Sequence, residues 1–352
     1  MFMKKNLGVL VAVILSLTLF LAACGEKSQE SVVAKLDEKL EALDGYKAKA
    51  EMKMSTGQEK QKYDIDIWYK QKDFYRVSLA NDQDEKESQI ILKNEEGVFV
   101  LTPALSKSFK FQTDWPDNSS QPYLYASLVA DVKQDDEAEF EQTDTHYIFR
   151  TKTNYQSNNN LPYQEIYFNK KDYTPELVKV LDKDKKALVE VQFSEFDMSP
   201  TFEEADFNVD ENLGKEEGKE EEEDGDSETD AEVSGEGEDA DSFTVVFPLE
   251  MVGAELTEKK EVEVDDGQRV IMTFTGDKDF TLIQEQLTAI PTSSLPEEVH
   301  GDIVNLGFTI GALSENTIEW SYEGSDFYLA SEELTKEELI EVAQSVQGKE
   351  AK

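Results

Sequence analysis

Apolar and charged residues alternate through one stretch near the N-terminus, Tyr46-Lys47-Ala48-Lys49-Ala50-Glu51-Met52-Lys53-Met54. Successive side chains of a strand point to opposite faces, so this period of two predicts a strand with one apolar and one charged face. The pattern returns in residues 63–69. Alternation of this kind is typical of an antiparallel sheet that meets solvent on one side.

Further short strands are predicted on both sides of this region. Polar turns separate apolar runs at residues 75–79, 90–92, 98–101, 109–111, 147–153, 163–168, 177–181 and 187–196. Short strands at this spacing predict an antiparallel meander. Apolar residues at three- and four-residue steps predict helices in residues 32–43 and 119–132, the second with Pro122 in its first turn.

A leader precedes these elements. Lys4 and Lys5 are followed by an apolar run and then by Leu21-Ala22-Ala23-Cys24, which resembles the bacterial lipobox. The run is shorter than the roughly 20 residues that cross a membrane, which argues against an uncleaved anchor. We therefore predict a signal peptide in residues 1–23 and acylation of Cys24, the single cysteine. Two acyl chains would hold the protein on the outer face of the cytoplasmic membrane.

An acidic segment divides the remaining chain. Residues 210–241 consist mainly of Asp, Glu, Gly and Ser, and like charges at this density do not collapse into a core. The alternative, a calcium loop, requires carboxylates at fixed positions around a glycine, and that pattern is absent. We predict a disordered linker between domains at residues 24–209 and 242–348.

The second domain is predicted to be small and to mix strands with a helix. Apolar runs predict strands at residues 244–249, 269–275, 305–310, 317–322 and 327–330, while residues 282–288 fit either a helix or a strand. Thr335 and Glu338 have the spacing of a capping box at the start of a final helix. Leu334 and Leu339 have the spacing of the accompanying apolar contact, and Gly348 is the expected stop.

Charge and composition exclude several functions. The formal net charge is −42 and the isoelectric point is near 4.3, so the chain would repel nucleic acid and anionic lipid headgroups. His146 and His300 are the only histidines, and neither lies in a nucleophile or metal-binding motif. We therefore predict no catalytic residues, no metal and no cofactor, and a protein that is not an enzyme.

Several motifs resemble the LolA/LolB-like lipoprotein-carrier superfamily, and more closely the sporulation-associated lipoproteins of single-membrane bacteria. They cover roughly residues 28–208 and include Leu43-Asp44-Gly45-Tyr46, Ile67-Trp68-Tyr69-Lys70, Gly97-Val98-Phe99-Val100, Phe111-Gln112-Thr113-Asp114-Trp115-Pro116 and Tyr173-Thr174-Pro175. The C-terminal region resembles a small domain of unknown function (DUF4367-like), through Ile318-Glu319-Trp320, Phe327-Tyr328-Leu329 and Leu334-Thr335.

The resemblance implies an α+β fold, in which an open antiparallel half-barrel is covered by helices and a smaller α+β domain follows. Its concave apolar face would accept acyl chains. We predict an aromatic ligand-binding lining of Tyr63, Trp68, Phe99, Phe109, Phe111 and Trp115. True carriers are soluble and shuttle between two membranes, whereas this chain is predicted to be acylated, so only the binding shape transfers.

Two functions remain open. The first is a membrane-anchored protein that binds a lipid, or the acyl chains of another lipoprotein, in the half-barrel. The second is a regulatory module that binds a membrane protein such as an anti-sigma factor, because a large LolA-like domain followed by a smaller one also resembles periplasmic stress sensors. The apolar strand faces could equally be ordinary core.

Overall fold

The computed structural model describes residues 27–55, 60–72, 74–81, 88–112, 120–155, 161–214, 243–264, 267–286, 296–307, 309–322 and 324–349. The predicted signal peptide, Cys24, Trp115 and most of the predicted linker lie outside these residues. None of the described helices is both long and apolar enough to cross a membrane.

The large sheet contains most of the predicted strands and some that the sequence did not reveal. Its strands from residues 45–197 are β1 (Gly45–Met54), β2 (Gln61–Lys70), β3 (Phe74–Ala80), β4 (Gln89–Asn94), β5 (Gly97–Thr102), β6 (Lys107–Phe111), β7 (Glu139–Gln142), β8 (His146–Lys152), β9 (Tyr163–Asn169), β10 (Pro175–Leu181) and β11 (Ala187–Asp197). These strands pair antiparallel with one another, and β1 pairs with β11, which joins the two halves of the meander.

The large sheet is open. Its strand order is β16-β6-β5-β4-β3-β2-β1-β11-β10-β9-β8-β7, where β16 (Glu297–Val299) comes from the C-terminal region and pairs in parallel with β6. Two helices, α1 (Gln29–Glu41) and α2 (Tyr125–Gln134), pack on one face. We call this the inner face; it carries Tyr46, whose hydroxyl accepts a hydrogen bond from the backbone N–H of Tyr125 at 3.2 Å.

The second helix begins later than predicted. Pro122 is not in its first turn but lies before it, and Leu124 is the residue that precedes the helix. The cause is local hydrogen bonding. The backbone N–H of Gln121 donates to Ser127 Oγ at 2.7 Å, and Ser120 donates to the Asp131 carboxylate at 2.8 Å.

The first residues of the predicted linker are folded. A short helix, α3 (Val209–Asn212), is capped by the side chain of Asn208, and Leu213 is buried on the opposite, outer face of the large sheet. The start of the linker at residue 210 is therefore wrong, because this segment has apolar surface to bury there. The described chain continues to residue 214.

The C-terminal region, residues 243–349, is here called the C-terminal module. Besides β16, its strands are β12 (Val246–Pro248), β13 (Ala254–Val264), β14 (Gly267–Gly276), β15 (Phe280–Gln286), β17 (Asp302–Asn305), β18 (Ile310–Leu313), β19 (Thr317–Tyr322), β20 (Ser325–Ala330) and β21 (Val346–Lys349), and the helix is α4 (Lys336–Gln344). The main sheet of the module has the order β13-β14-β15-β20-β19-β18-β17.

The capping box at Thr335 and Glu338 is confirmed. The run at residues 282–288, for which a helix and a strand were both open, begins within a strand, β15. Two details differ from the prediction: Gly348 lies in β21 rather than ending the helix, and the predicted strand 305–310 is split by a turn. Gly307, with φ of +90°, supplies a left-handed backbone at that turn.

The predicted fold class is confirmed: the chain is α+β, with an open, mostly antiparallel sheet covered by helices and a second, smaller α+β unit. The strand faces follow the predicted alternation. On β1, the residues from Ala48 to Met54 at every second position are buried, whereas between them Lys49 and Lys53 are exposed and Glu51 is half-buried.

Candidate functional site

The inner face of the large sheet is covered by two different parts of the chain. The helices α1 and α2 lie over one half, where Tyr125 packs edge-on to Phe168 with ring centroids 6.3 Å apart. The C-terminal module contacts Tyr63 on β2, Gln89 on β4 and, through β16, strand β6, and its buried apolar residues belong to the same core as the inner face. The half-barrel is therefore largely filled by its own chain.

Buried polar groups specify how the C-terminal module sits on the large sheet. The hydroxyls of Tyr63 and Tyr322 are 2.7 Å apart. Gln89 donates from Nε2 to the carbonyl of Ser321 at 2.9 Å and accepts at Oε1 from the hydroxyl of Thr309 at 3.0 Å. Buried polar groups are costly unless they are paired, so this contact favours a single arrangement of the two parts.

A cavity of about 300 Å³ lies between the two parts. We call it the interface cavity. Its apolar lining consists of Met54, Leu161, Leu188, Val189 and Leu306, and its polar rim of Asp182, Lys183, Asp184, Gln344 and Ser345. Ligand sites are commonly mostly apolar clefts of roughly 300–1,000 Å³ at domain interfaces, so the size lies at the lower end of that range.

The turn between β10 and β11 positions part of the rim. The Asp182 carboxylate accepts hydrogen bonds from the backbone N–H groups of Asp184 and Lys186, at 2.9 and 2.8 Å. Lys185 has a φ of +63°, as such a tight turn requires. On the other side, the Leu306-Gly307 turn between β17 and β18 brings Leu306 against the cavity.

A buried carboxylate is linked to this region. Asp131 on α2 is only 5% exposed and accepts from the Ser120 hydroxyl and from Gln164 Nε2, at 2.8 and 2.6 Å. Burial raises the pKa of Asp131 to about 6 despite these bonds. The Ser120 carbonyl in turn accepts from Asn305 Nδ2 at 3.0 Å, so the network reaches the C-terminal module.

A larger hollow of about 520 Å³ lies over β7–β10 but has a different character. Its floor carries ion pairs, including one between neighbouring strands, Arg150 with Glu165 at 2.7 Å, and one between β8 and the turn before β7, Lys152 with Glu137 at 2.6 Å. These charges already neutralise one another and are partly exposed. The hollow is therefore a solvated sheet surface rather than a cavity for an apolar ligand.

The predicted aromatic lining does not form one surface. Tyr63 and Phe111 belong to the inner-face core, whereas Phe99 and Trp68 belong to a separate apolar cluster on the outer face. Phe109 is buried with Leu105 and Val299.

Phe99 and Trp68, on the outer face, are covered by a later segment of the same chain. Phe202, Phe207 and Leu213 pack against the cluster that contains Phe99 and Trp68. The Trp68 ring also lies under Lys47 Nζ at 4.1 Å, and its Nε1 donates to Asp66 at 2.8 Å. These two aromatic residues are thus engaged in packing.

The residues that line the interface cavity were not predicted as site residues. Met54 ends the alternating stretch of β1, but its position beside a cavity depends on Leu306, about 250 residues further along the chain. The predicted site residues are all aromatic, whereas the apolar residues that line the cavity are aliphatic. No signal in the local sequence distinguishes Leu161 or Leu188 from ordinary core.

The His146 side chain has structural partners. His146 lies at the start of β8, with Nε2 beside the Glu176 carboxylate and Nδ1 2.8 Å from the Thr145 hydroxyl. Within the described ranges, no group of three or more His, Cys, Asp or Glu residues has an arrangement that could hold a metal ion.

Comparison with known proteins identifies the family. The sequence profile described as "Sporulation protein YdcC-like" matches residues 4–207. A protein of Bacillus subtilis (strain 168) named "Sporulation protein YdcC" is 45% identical over 350 residues, which is 99% of each chain. This chain belongs to the YdcC-like sporulation protein family. The predicted resemblance to sporulation-associated proteins is thereby confirmed, while the DUF4367-like assignment of the C-terminal module stays a prediction.

Solved structures show a more distant likeness. MucB, in a structure of the Pseudomonas aeruginosa MucA/MucB complex, matches 89% of this chain and 97% of its own with a TM-score of 0.32 and 11% identity. A LolA superfamily protein from Nitrosomonas europaea matches 53% of this chain and 100% of its own, with a TM-score of 0.31 and 11% identity. Scores of this size support no inference about ligands or partners.

Proposed function

We propose that this member of the family is a non-catalytic, membrane-anchored protein outside the cytoplasm that binds an apolar chain of a lipid or lipoprotein. The observation that supports this function is the interface cavity. Five apolar side chains line it and a polar hairpin rims it, which is the distribution expected for a chain with a polar head. The proposed ligand enters at the contact between the large sheet and the C-terminal module, not through an empty half-barrel.

Burial of the ligand's methylene groups would supply the affinity. Each methylene removed from water contributes about 0.8 kcal/mol. Lys183 on the rim is the one basic residue among those that line the cavity. In a chain with a net charge of −42, a zwitterionic head should therefore be accepted more readily than an anionic one.

The direct test uses the chain from residue 25 to 352 and a fluorescent zwitterionic lysolipid, with a fluorescent fatty acid for comparison. Leu188→Trp should fill part of the interface cavity from its half-buried wall and weaken lysolipid binding. Leu256→Trp is the matched control, because Leu256 is 40% exposed on β13 and does not line the cavity. Binding should depend little on salt, since the contact is apolar.

Equal binding by wild type, Leu188→Trp and Leu256→Trp would place the probe elsewhere on the surface. Absence of lysolipid binding to the wild-type chain would reject the apolar-ligand function. Near-ultraviolet circular dichroism of each variant checks that the packing has survived the substitution.

The proposed anchoring to the membrane, outside the cytoplasm, depends on the predicted lipobox and can be tested separately. Cys24→Ser should abolish incorporation of labelled lipid and leave either an unprocessed precursor or a released protein. Normal membrane extraction together with lipid labelling of Cys24→Ser would show that the anchor is not at this cysteine.

A second candidate is a regulator that binds a membrane protein partner. The observation that favours it is the position of the exposed apolar residues. Among the described residues, the large exposed apolar side chains all lie in the C-terminal module: Leu249, Leu256 and Tyr328, at 42%, 40% and 37% exposure. Leu256→Lys combined with Tyr328→Ser should then abolish crosslinking to the partner in membranes while lysolipid binding stays unchanged.

A further inference from the structure

The first helix begins close to the cysteine of the predicted lipobox. Ser28 caps α1, and its hydroxyl accepts a hydrogen bond from a backbone N–H of the first turn at 3.3 Å. Val32 and Leu36 of this helix are fully buried in the core of the large sheet. Ser28 is four residues after Cys24, and an extended chain spans at most about 3.6 Å per residue. The start of this firmly packed helix therefore lies within about 14 Å of Cys24.

Side chains from two other elements hold the segment that leads into α1. The carbonyl of Lys27 accepts a hydrogen bond from Nε2 of Gln142, the last residue of β7. Gln29 Nε2 donates to the carbonyl of Ala138 at 3.2 Å. The Lys27 ammonium group donates to the hydroxyl of Tyr173, which lies in the turn between β9 and β10. The chain three residues after Cys24 is thus attached to one particular end of the large sheet.

We call this the anchor-side end; it consists of Lys27, the β7–β8 turn (residues 143–145) and the β9–β10 turn (residues 170–174). The two turns are joined, because the backbone N–H of Lys170 donates to the carbonyl of Thr145 at 2.9 Å. Strand β10 runs from this end to the β10–β11 turn, and its seven residues span about 23 Å. The interface cavity, which the β10–β11 turn rims, therefore lies at the far end of the strands.

Three lysine side chains gather around two tyrosine rings at the anchor-side end. The ring centroids of Tyr147 and Tyr173 are 5.5 Å apart. Lys27 Nζ and Lys39 Nζ lie 5.1 and 5.9 Å from the Tyr173 centroid, and Lys170 Nζ lies 5.2 Å from that of Tyr147. None of these three ammonium groups forms an ion pair with a carboxylate of the described residues. Like charges held this close repel one another, so an anion beside them would be stabilising.

We propose that the anchor-side end lies against the membrane that holds the acylated Cys24, with the three lysine ammonium groups at its headgroup phosphates. This inference rests on the lipid anchor of the proposed function. The short distance to Cys24 limits which surface can reach the bilayer, and basic side chains beside an anchor add affinity for anionic headgroups. The net charge of −42 repels the rest of the surface from an anionic bilayer, which favours the same orientation.

This orientation has a consequence for the interface cavity. The cavity opens at the end of the strands that faces away from the anchoring bilayer, about 23 Å or more from the headgroups. Its apolar chain is then supplied by a donor on the outer side, such as another lipoprotein or an opposed membrane, rather than taken from the lipids beneath the protein.

The test uses the full-length, acylated chain in vesicles of equal parts phosphatidylcholine and phosphatidylglycerol that carry a spin label on the lipid headgroup. Cys24 is the single cysteine and its thiol is acylated, so an introduced cysteine can be labelled alone with a fluorophore. Lys171→Cys and Lys186→Cys form a matched pair, because both residues are exposed in hairpin turns at opposite ends of β10. The spin label should quench the fluorophore at position 171 several-fold more strongly than the one at position 186.

A second comparison tests the lysines. Lys27→Gln combined with Lys170→Gln should reduce quenching at position 171 by about twofold in these vesicles, and by less in vesicles of phosphatidylcholine alone. Lys53→Gln combined with Lys62→Gln is the control, since it removes the same charge from exposed side chains at the far end of β1 and β2 and should have no effect. Equal effects of the two double variants would overturn the contact between the lysines and the headgroups.

Failure of the anchor is measured separately from failure of the orientation. A chain that neither incorporates labelled lipid nor floats with the vesicles would overturn the acylation of Cys24, and this inference with it. A chain that is acylated and floats, but shows equal quenching at positions 171 and 186, would retain the anchor and overturn the orientation. Lysolipid binding by residues 25–352 is a separate measurement and depends on neither result.

Discussion

The two ends of the contact between the large sheet and the C-terminal module differ in chemistry although they share one face of one sheet. At one end Met54 and Val189 meet Leu306, and the cavity between them is mainly aliphatic. At the other end Phe109 and Phe111 meet the carboxylates of Glu297, Glu319 and Asp326. The sheet supplies apolar surface at both ends. The difference between the two sites therefore comes from what the C-terminal module places opposite it.

The aliphatic end should be more sensitive to the loss of a side chain. Leu306 is 2% exposed, so Leu306→Ala removes buried methyl groups and enlarges the cavity. It should lower the free energy of unfolding by about 2–5 kcal/mol, measured by urea denaturation. Leu256→Ala, at an exposed position, should change it by less than about 0.5 kcal/mol. Equal losses would show that Leu306 is not part of a packed interface.

The buried carboxylate near this end predicts a pH dependence. The pKa of Asp131 is raised from its ordinary value of 3.8 to about 6, so the folded state binds the proton more tightly than the unfolded state. Stability from this group is present below pH 4 and is lost as the pH rises to 6. Relative to Asp131→Asn, the wild type should lose on the order of 3 kcal/mol over that window.

Urea denaturation at several pH values between 4 and 7 measures this difference. Asp184→Asn serves as the control, because Asp184 is exposed on the β10–β11 turn and should leave the pH profile unchanged. Parallel profiles for the wild type and Asp131→Asn would contradict the assignment of a raised pKa to this carboxylate.

A substitution at the acidic end of the contact, Glu319→Gln, should have the smallest effect on stability. Glu319 is partly buried beside Glu297, so Glu319→Gln removes a repulsion and a desolvation penalty without removing volume. The thermal midpoint should stay the same or rise slightly, and its dependence on salt should become weaker. A clear fall in the midpoint would mean that the Glu319 carboxylate has a stabilising partner.

The strand pattern could be predicted wherever one face of a strand is buried and the other is not. This is why the sequence predicts β1 and β2 as the structure has them, within two residues at each end. It misses β13, whose side chains are mostly charged and exposed, because an edge strand solvated on both faces has no alternation. It also misses the break at Gly307, where an apolar run continues through a turn.

The candidate site could not be predicted in the same way. Alternation shows which residues of a strand share a face, but not what covers that face. Tyr63 and Trp68 lie on the same strand, yet one meets Tyr322 and the other meets the segment that contains Phe202. The covering elements come from distant parts of the chain, so aromatic content alone cannot distinguish a ligand lining from packing.

The central claim is that the contact between the large sheet and the C-terminal module carries a binding site for an apolar chain. The most direct measurement is a titration of wild type, Leu188→Trp and Leu256→Trp with the fluorescent lysolipid. We expect Leu188→Trp to weaken lysolipid binding strongly and Leu256→Trp to bind as the wild type does. Equal binding by all three proteins would contradict the account.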